Sequence, residues 1–196
     1  MRNMRKLNVC IDIDGTVTEP YYWLARANRY FETQLRPEDV TAYEIHRLLG
    51  IGEDDYQEFY DQYGKVLHRE SKARFGAGEA VRQLYREHSI HFVTAREEKM
   101  REVSVEWLER HGMPMDTISL LGSHYKVDKA KELKSDLFIE DNYANAIQLA
   151  QAGFDVLLID CTYNRGPLPE QVIRVKNWAE ILKIIDSKAK SMKTVC

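Results

Sequence analysis

The chain has 196 residues, 44% hydrophobic and 30% charged, enough for one sizeable core or a core plus a small appendage. A formal net charge of -3 gives no global basic footprint for a nucleic-acid polymer, and Cys10, Cys161 and Cys196 are too few and scattered for a disulfide framework or a zinc site. The basic N-terminus leads into an apolar run broken by Asp12, unlike a signal peptide, and no segment approaches the roughly 18–20 apolar residues of a membrane span, so a cytoplasmic protein is expected.

The first apolar run, Leu7–Ile13, has strand length and ends in VCIDIDGTVTEP, where Asp12 and Asp14 stand one residue apart and Gly15 follows. An unpaired buried carboxylate is costly, so a strand that delivers two of them aims them at something positive. Cys10 within the run is expected to be a small core residue.

Residues 18–75 contain no buried-strand pattern. They carry many aromatics, a helix start at Pro37-Glu38-Asp39 with an end at Leu48-Leu49-Gly50, and a second helical stretch at Asp54–Tyr63. This region reads as a small helical insertion after the first strand. Tyr21, Tyr22, Trp23, Tyr43 and Phe59 are expected to pack among its helices. One or two of them facing a site would suffice to stack a base, worth ~1–3 kcal/mol. Glu53, Asp54, Asp55, Glu58 and Asp61 are expected on a solvated face, and the six histidines at the surface or helix ends.

Beyond the insertion, strands and helices alternate. Glu79–His88 reads as a helix and Ile90–Thr94 (IHFVT) as the second strand. Glu97–His111 is a helix with Gly112 at its C-terminus. Ile118–Leu121, Leu137–Ile139, Val156–Ile159 and a weaker Val172–Val175 are further strands. Tyr143–Ala152, ending at Gly153, and Trp178–Ile185 are helices, and SKAKSMKTVC reads as a frayed tail. Near-continuously apolar strands alternating with helices predict an α/β fold, a Rossmann-like three-layer parallel sheet. Residues 1–17 and 76–196 would form its core and 18–75 the insertion.

Ligands of open parallel sheets bind beyond the carboxyl ends of the strands. There the sequence places Asp12 and Asp14, Thr94 (in FVTAR), Lys126 (in LLGSHYKVD) and Glu140-Asp141 (in LFIEDN). Carboxylates that converge repel unless a cation sits among them, and oxygen-only ligation suits Mg²⁺ with a substrate phosphate. A lysine and a strand-end hydroxyl then stabilise charge on a transferring phosphoryl group. An aspartate, with an ordinary pKa of about 3.9, needs no base to be nucleophilic at neutral pH. Lys129 competes with Lys126 for the lysine role, and Arg96 reads as a helix-start or surface residue.

DIDGT, VTAR, a lysine and IEDN, in that order, resemble the four motifs of the haloacid dehalogenase-like (HAD) hydrolase superfamily, over residues 7–17 and 76–160. The insertion matches the position of that superfamily's first type of cap. DGT-V-T-E and the compact IED are similar to the 5′(3′)-deoxyribonucleotidase family and its bacterial relatives. The resemblance implies that Asp12 attacks phosphorus and becomes an aspartyl phosphate. Asp14 would protonate the leaving oxygen and later deprotonate water. Mg²⁺ would be held by the Asp12 carboxylate, the Asp14 backbone carbonyl and Asp141. Thr94 would bond the phosphoryl group, Lys126 would neutralise it, and Gly15 would let backbone N–H groups approach it. Two departures are visible. Glu140 stands where those nucleotidases carry an aspartate, which places it behind the direct ligands, and Ala95 replaces a small hydroxyl residue, with Arg96 beyond it as a substitute phosphate contact.

The function expected is a Mg²⁺-dependent phosphomonoesterase acting on a nucleoside (deoxy)monophosphate. The alternatives are the same chemistry on a sugar phosphate, another small metabolite or a nucleic-acid end, or a receiver-like phosphoacceptor module. Asp14 discriminates the last, because turnover needs a proton-transfer acid beside the nucleophile and phosphoryl storage does not. Neither a nucleic-acid polymer nor a membrane is an expected partner.

Overall fold

Strand β1 (Asn8–Ile11) lies at the middle of a six-stranded sheet, with β2 (Ser89–Thr94) on one side and β4 (Leu137–Glu140) on the other. In the computed structural model, which describes residues 5–191, the order is β3-β2-β1-β4-β5-β6, with β3 at Thr117–Leu120, β5 at Val156–Ile159 and β6 at Val172–Val175. Every pairing is parallel, with Val9 opposite both Ile90 and Leu137. The chain builds outward from β1 to β3 and then crosses back to β4. The crevice at the carboxyl ends of β1 and β4 is therefore the topological switch point, where such sheets bind ligands.

Successive strand residues point to opposite faces, so each strand feeds two cores. Val9 and Ile11 join one cluster with Val81 and Leu84 of α4 (Ala77–Tyr85), Trp107 of α5 (Arg101–Arg110), and Trp178 and Ile181 of α8 (Trp178–Ser191). Cys10 and Phe138 join the other, with Ala130 of α6 (Val127–Glu132) and Leu149 of α7 (Tyr143–Gln151). The three-layer α/β architecture follows from this two-sided burial.

Between β1 and α4 the described residues form α1 (Leu24–Tyr30), α2 (Ile45–Leu49) and α3 (Glu53–Glu70), with a separate apolar cluster around Trp23, Leu24 and Phe59. A lone antiparallel bridge, Thr18 to Ala73, brings the two ends of the segment together. Three expectations change here. The single helix expected from Pro37 to Gly50 is a 3-10 turn, Pro37–Asp39, and the separate α2. The carbonyl of Val40 that would continue it instead accepts from the Thr162 hydroxyl. The helix expected at Asp54–Tyr63 runs on to Glu70, because Gly64 is where α3 meets Met100: a Cβ there would stand 2.9 Å from Met100 Cε. The expected frayed tail is helical as far as Ser191, with Ala189 buried, and Ser191 is the last described residue.

Trp107 is fully buried and its indole N–H donates to the Ser71 carbonyl at 2.8 Å, tying α5 to the end of α3. Trp107→Phe should lower the unfolding free energy by about 1–2 kcal/mol through the orphaned carbonyl. Trp107→Ala should cost about 3–5 kcal/mol through the added cavity. Urea denaturation midpoints check both; equal losses in the two variants would contradict the assignment.

Candidate active site

The chain leaves β1 with the Asp12 amide donating to the Ile139 carbonyl at 3.0 Å, then folds over so that the amides of Thr16, Val17 and Thr18 all point at the Ile13 carbonyl. Gly15 makes the turn at φ +75°, and a Cβ there would stand 2.2 Å from Asp141 Oδ2. Both backbone conformation and space demand glycine. Asp12, Asp14, Thr94, Lys126, Glu140 and Asp141 all lie at the same rim of the sheet, since their strands are neighbours and exit in the same direction.

Lys126, at the N-terminus of α6, is fully buried and its ammonium bonds both the Asp12 and the Glu140 carboxylates, the latter at 2.7 Å. Lys129 is turned away, paired with Glu132 at 2.5 Å. Glu140 collects four donors: Lys126, Asn145 Nδ2 at 2.8 Å, and the amides of Asp141 and Asn142 at 2.8 and 3.0 Å. With both oxygens doubly occupied, it stays ionised: burial opposes its charge, but the Lys126 ammonium and these N–H groups hold its pKa below the ordinary value. Asp12 and Asp141 are less well served. Burial pushes Asp12 up to about 7, Lys126 offsetting only part of that and Glu140 adding to it. Burial, with the charges of Glu140 and Asp12, likewise drives Asp141 well above the carboxylate range. Oxygens of Asp12, Glu140 and Asp141 lie within 4.8 Å of one another, a buried group able to hold a metal ion. Lys126 is a single positive charge shared by Asp12 and Glu140, so the three carboxylates together remain short of positive charge.

Asp14 sits on the other side of the turn, in different company. Arg96 grips its carboxylate in a fork, Nε to Oδ2 at 2.8 Å and Nη2 to Oδ1 at 2.6 Å, and the Tyr22 hydroxyl adds a third bond at 2.8 Å. Burial would raise this carboxyl, but the Arg96 charge wins and holds it well below its ordinary value. Arg96 is itself buried, with Nη1 on the Ser104 hydroxyl. Its guanidinium is committed to Asp14 and α5, which corrects the expectation of a free residue at a helix start or on the surface. The Thr94 hydroxyl is also buried and accepts from the Arg96 amide at 3.2 Å, leaving its own O–H to donate.

Several residues of this site carry no signal in the sequence, or a misleading one. His68 lies in the last turn of α3, a helix end as expected, but it is buried, as are His88 and His91, and none of the three is a surface residue. Burial and the charge of Arg96 bring the His68 pKa down to about 3. Neutral, it sits between the Tyr60 hydroxyl on Nε2 at 2.8 Å and the Tyr22 hydroxyl on Nδ1 at 3.2 Å, which continues the polar chain to Asp14. The one signal available was spacing: Tyr60, Gly64 and His68 recur every four residues on one face of α3. Tyr22, expected in helix packing, and Tyr163, whose hydroxyl meets Asp141 Oδ2, carry no local signature. A cavity of about 590 Å³ opens above the rim, lined by Asp14, Arg96 and Asp141 from below and by Tyr43, Tyr56 and Tyr60 from the inserted segment.

The sequence model of the family described as "5' nucleotidase, deoxy (Pyrimidine), cytosolic type C protein" matches residues 5–192. A nucleotidase of Clostridium acetobutylicum is 45% identical over 183 residues, 93% of this chain and 95% of its own. Among solved structures, a haloacid dehalogenase-like family hydrolase from Streptococcus pneumoniae superposes with a TM-score of 0.70 at 15% identity, covering 92% of this chain and 98% of that one. A D,D-heptose 1.7-bisphosphate phosphatase from B. bronchiseptica, complexed with magnesium and phosphate, gives 0.58 at 15% identity, over 94% and 100%. At such identities the two structures speak for the fold, and the family match and the closer relative for the lineage. The chain has the fold of haloacid dehalogenase-like hydrolases, belongs to the "5' nucleotidase, deoxy (Pyrimidine), cytosolic type C" family and is a hydrolase of phosphoric monoester bonds.

Proposed function

We propose that the chain is a Mg²⁺-dependent nucleoside monophosphatase that works through an aspartyl phosphate on Asp12, with residues 18–75 acting as a cap over the site. The observation that carries the reading is the unequal treatment of three neighbouring carboxylates. Glu140 is saturated by four protein donors, whereas Asp12 has only its share of the same Lys126 ammonium and Asp141 has a tyrosine hydroxyl, so among the described residues one cation stands against three buried carboxylates. Two carboxylates match a divalent ion, and an all-oxygen donor set suits Mg²⁺. A further sign is Asn145 Oδ1, a buried acceptor with no partner among the described residues, in a side chain whose Nδ2 must face Glu140. It is placed to accept from a water, and Mg²⁺ keeps several waters when bound.

The Asp12 and Asp141 carboxylates, with the backbone carbonyl of Asp14, would hold the ion, whose charge would offset that of an entering phosphate and polarise it. Asp12 then attacks phosphorus, and the alcohol leaves. Lys126, already shared by Asp12 and Glu140, has a third N–H for a phosphoryl oxygen, and the Thr94 O–H provides another donor. The Arg96 fork favours the ionised form of Asp14, the form needed to take a proton from the water that hydrolyses the aspartyl phosphate. Protonating the leaving oxygen in the first half requires the opposite state, so that contact must loosen when substrate enters. Arg96 accordingly positions Asp14 and is not assigned a phosphate of its own.

Nucleotides are favoured as substrate by the cavity. Its size lies within the range of small-molecule sites, and four tyrosines of the inserted segment, Tyr22, Tyr43, Tyr56 and Tyr60, are among its lining. One base stacked there is worth ~1–3 kcal/mol.

Four measurements test this. Asp12→Asn should abolish hydrolysis of an aryl phosphate in the presence of Mg²⁺, and substantial residual turnover would remove Asp12 as nucleophile. Asp14→Asn should slow hydrolysis by about 10²–10⁴-fold, the usual weight of a positioned acid–base group. Chelation of divalent ions should abolish activity and Mg²⁺ restore it; activity undiminished by chelation would dismiss the metal. In a phosphate-release screen, kcat/KM for nucleoside monophosphates should exceed that for sugar phosphates by about tenfold or more, as one stacked base provides. The reverse ranking would move the substrate to the sugar phosphates while keeping the chemistry.

A further inference from the structure

Glu140 is fixed by four donors, whereas the neighbouring Asp141 carboxylate has one close donor among the described residues, the Tyr163 hydroxyl on Oδ2 at 2.5 Å; the Thr16 hydroxyl lies 3.4 Å from Oδ1. Tyr163 lies in the loop between β5 and β6, and nothing in the sequence motifs points to it. The loop is anchored from below by Asn164, fully buried, whose Nδ2 donates to the Asp141 carbonyl at 2.7 Å and the Ile159 carbonyl at 2.8 Å. Its Oδ1 accepts from the Cys161 amide and from Arg174 Nη1.

From above, the same loop is held by the inserted segment. The Thr162 hydroxyl donates to the Val40 carbonyl. The Tyr21 hydroxyl donates to Thr162 Oγ1 at 2.8 Å and accepts from the Thr162 amide at 3.2 Å. The Tyr163 ring is flanked edge-on by Tyr21 and Tyr43, with centroids 6.1 and 5.8 Å away. Tyr163 is thus gripped by side chains of the inserted segment at its ring and by Asp141 at its hydroxyl.

We infer that Tyr163 is the positioning residue of the metal-binding acid Asp141, and that Tyr21, through Thr162 and the Tyr163 ring, makes the placement of the inserted segment part of the metal site. The inference rests on the Mg²⁺ reading proposed above. The hydroxyl occupies one lone pair of Oδ2 and sets the orientation in which the remaining lone pairs face Asp12. Without it, Asp141 keeps among the described residues only the longer 3.4 Å bond from the Thr16 hydroxyl, and the ion loses part of a prearranged pair of ligands. Outer hydrogen bonds of this kind typically carry ~10–100-fold in metal affinity.

The test is Mg²⁺ binding to the full chain by titration calorimetry, without substrate, for the wild type, Tyr163→Phe, Tyr21→Phe and Asp141→Asn, with metal-free unfolding midpoints showing that each is folded. Tyr163→Phe should bind Mg²⁺ about tenfold more weakly. Its hydrolysis should need correspondingly more Mg²⁺ while kcat at saturating Mg²⁺ recovers. Tyr21→Phe, which leaves the Asp141 bond in place, should shift affinity in the same direction by a smaller factor. It decides the matter if Tyr163→Phe does not fold. Asp141→Asn marks the lost site. Wild-type or tighter affinity in Tyr163→Phe would overturn the inference, and unchanged affinity in Tyr21→Phe would overturn the link to the inserted segment. A wild type that binds no Mg²⁺ would instead overturn the metal reading itself.

Discussion

An ammonium buried between two carboxylates organises this protein. Lys126 is out of contact with water, and a charge in that position persists only if it is paired and hydrogen-bonded. Its partners are Asp12 at the exit of β1 and Glu140 at the end of β4, so one side chain joins both walls of the switch-point crevice to the first turn of α6. Removing either acid leaves a buried cation short of a partner, and removing the lysine takes away the one cation bonded to both Asp12 and Glu140 among the described residues. The chemistry of the rim and the integrity of the sheet's centre therefore depend on the same contact.

The two acids of the first motif are treated in opposite ways. Asp12 faces Lys126 and the β4 acids, where burial and like charges raise its pKa. Asp14, two residues on, faces the Arg96 fork and Tyr22, where an opposite charge and three donors lower it. Gly15, immediately after them, turns the chain within contact distance of Asp141. Two chemically identical groups acquire opposite proton affinities because the turn presents them to different neighbours, the separation that the proposed division into nucleophile and acid–base would need.

The inserted segment reaches the site through polar contacts as well as by lining its cavity. Tyr60 and His68 of α3 lead through Tyr22 to Asp14, and Tyr21 leads through Thr162 and Tyr163 to Asp141. Both routes end on carboxylates of the rim. A segment tied to the acids in this way cannot shift far without altering their hydrogen bonds, so any motion that admits substrate also changes the environment of the reacting groups. The family match extends over this segment as well as the sheet, and membership in a hydrolase family decides between turnover and phosphoryl storage.

The strands, the three layers and the acids at the strand exits are legible in the residues alone. Burial on both faces leaves a continuous apolar run, and a carboxylate closing such a run is too costly to bury without a positive partner. Helix ends inside the inserted segment are less so. The helix expected at Asp54–Tyr63 continues past Gly64, which packs against Met100, and the stretch from Pro37 to Gly50 reads as one helix until Thr162, 122 residues from Val40, takes its carbonyl. Lys126 is preferred on paper with Lys129 as its competitor, and the start of α6 turns the first into the core and the second to Glu132. The amino-acid order thus determines which groups are carried to the rim, since local periodicity dictates strands and strands have a direction. Which groups meet there, Arg96 on Asp14, Tyr163 on Asp141 and His68 on Tyr22, is decided by tertiary packing, because hydrogen bonds between distant residues depend on separations of a few ångströms that no local pattern encodes.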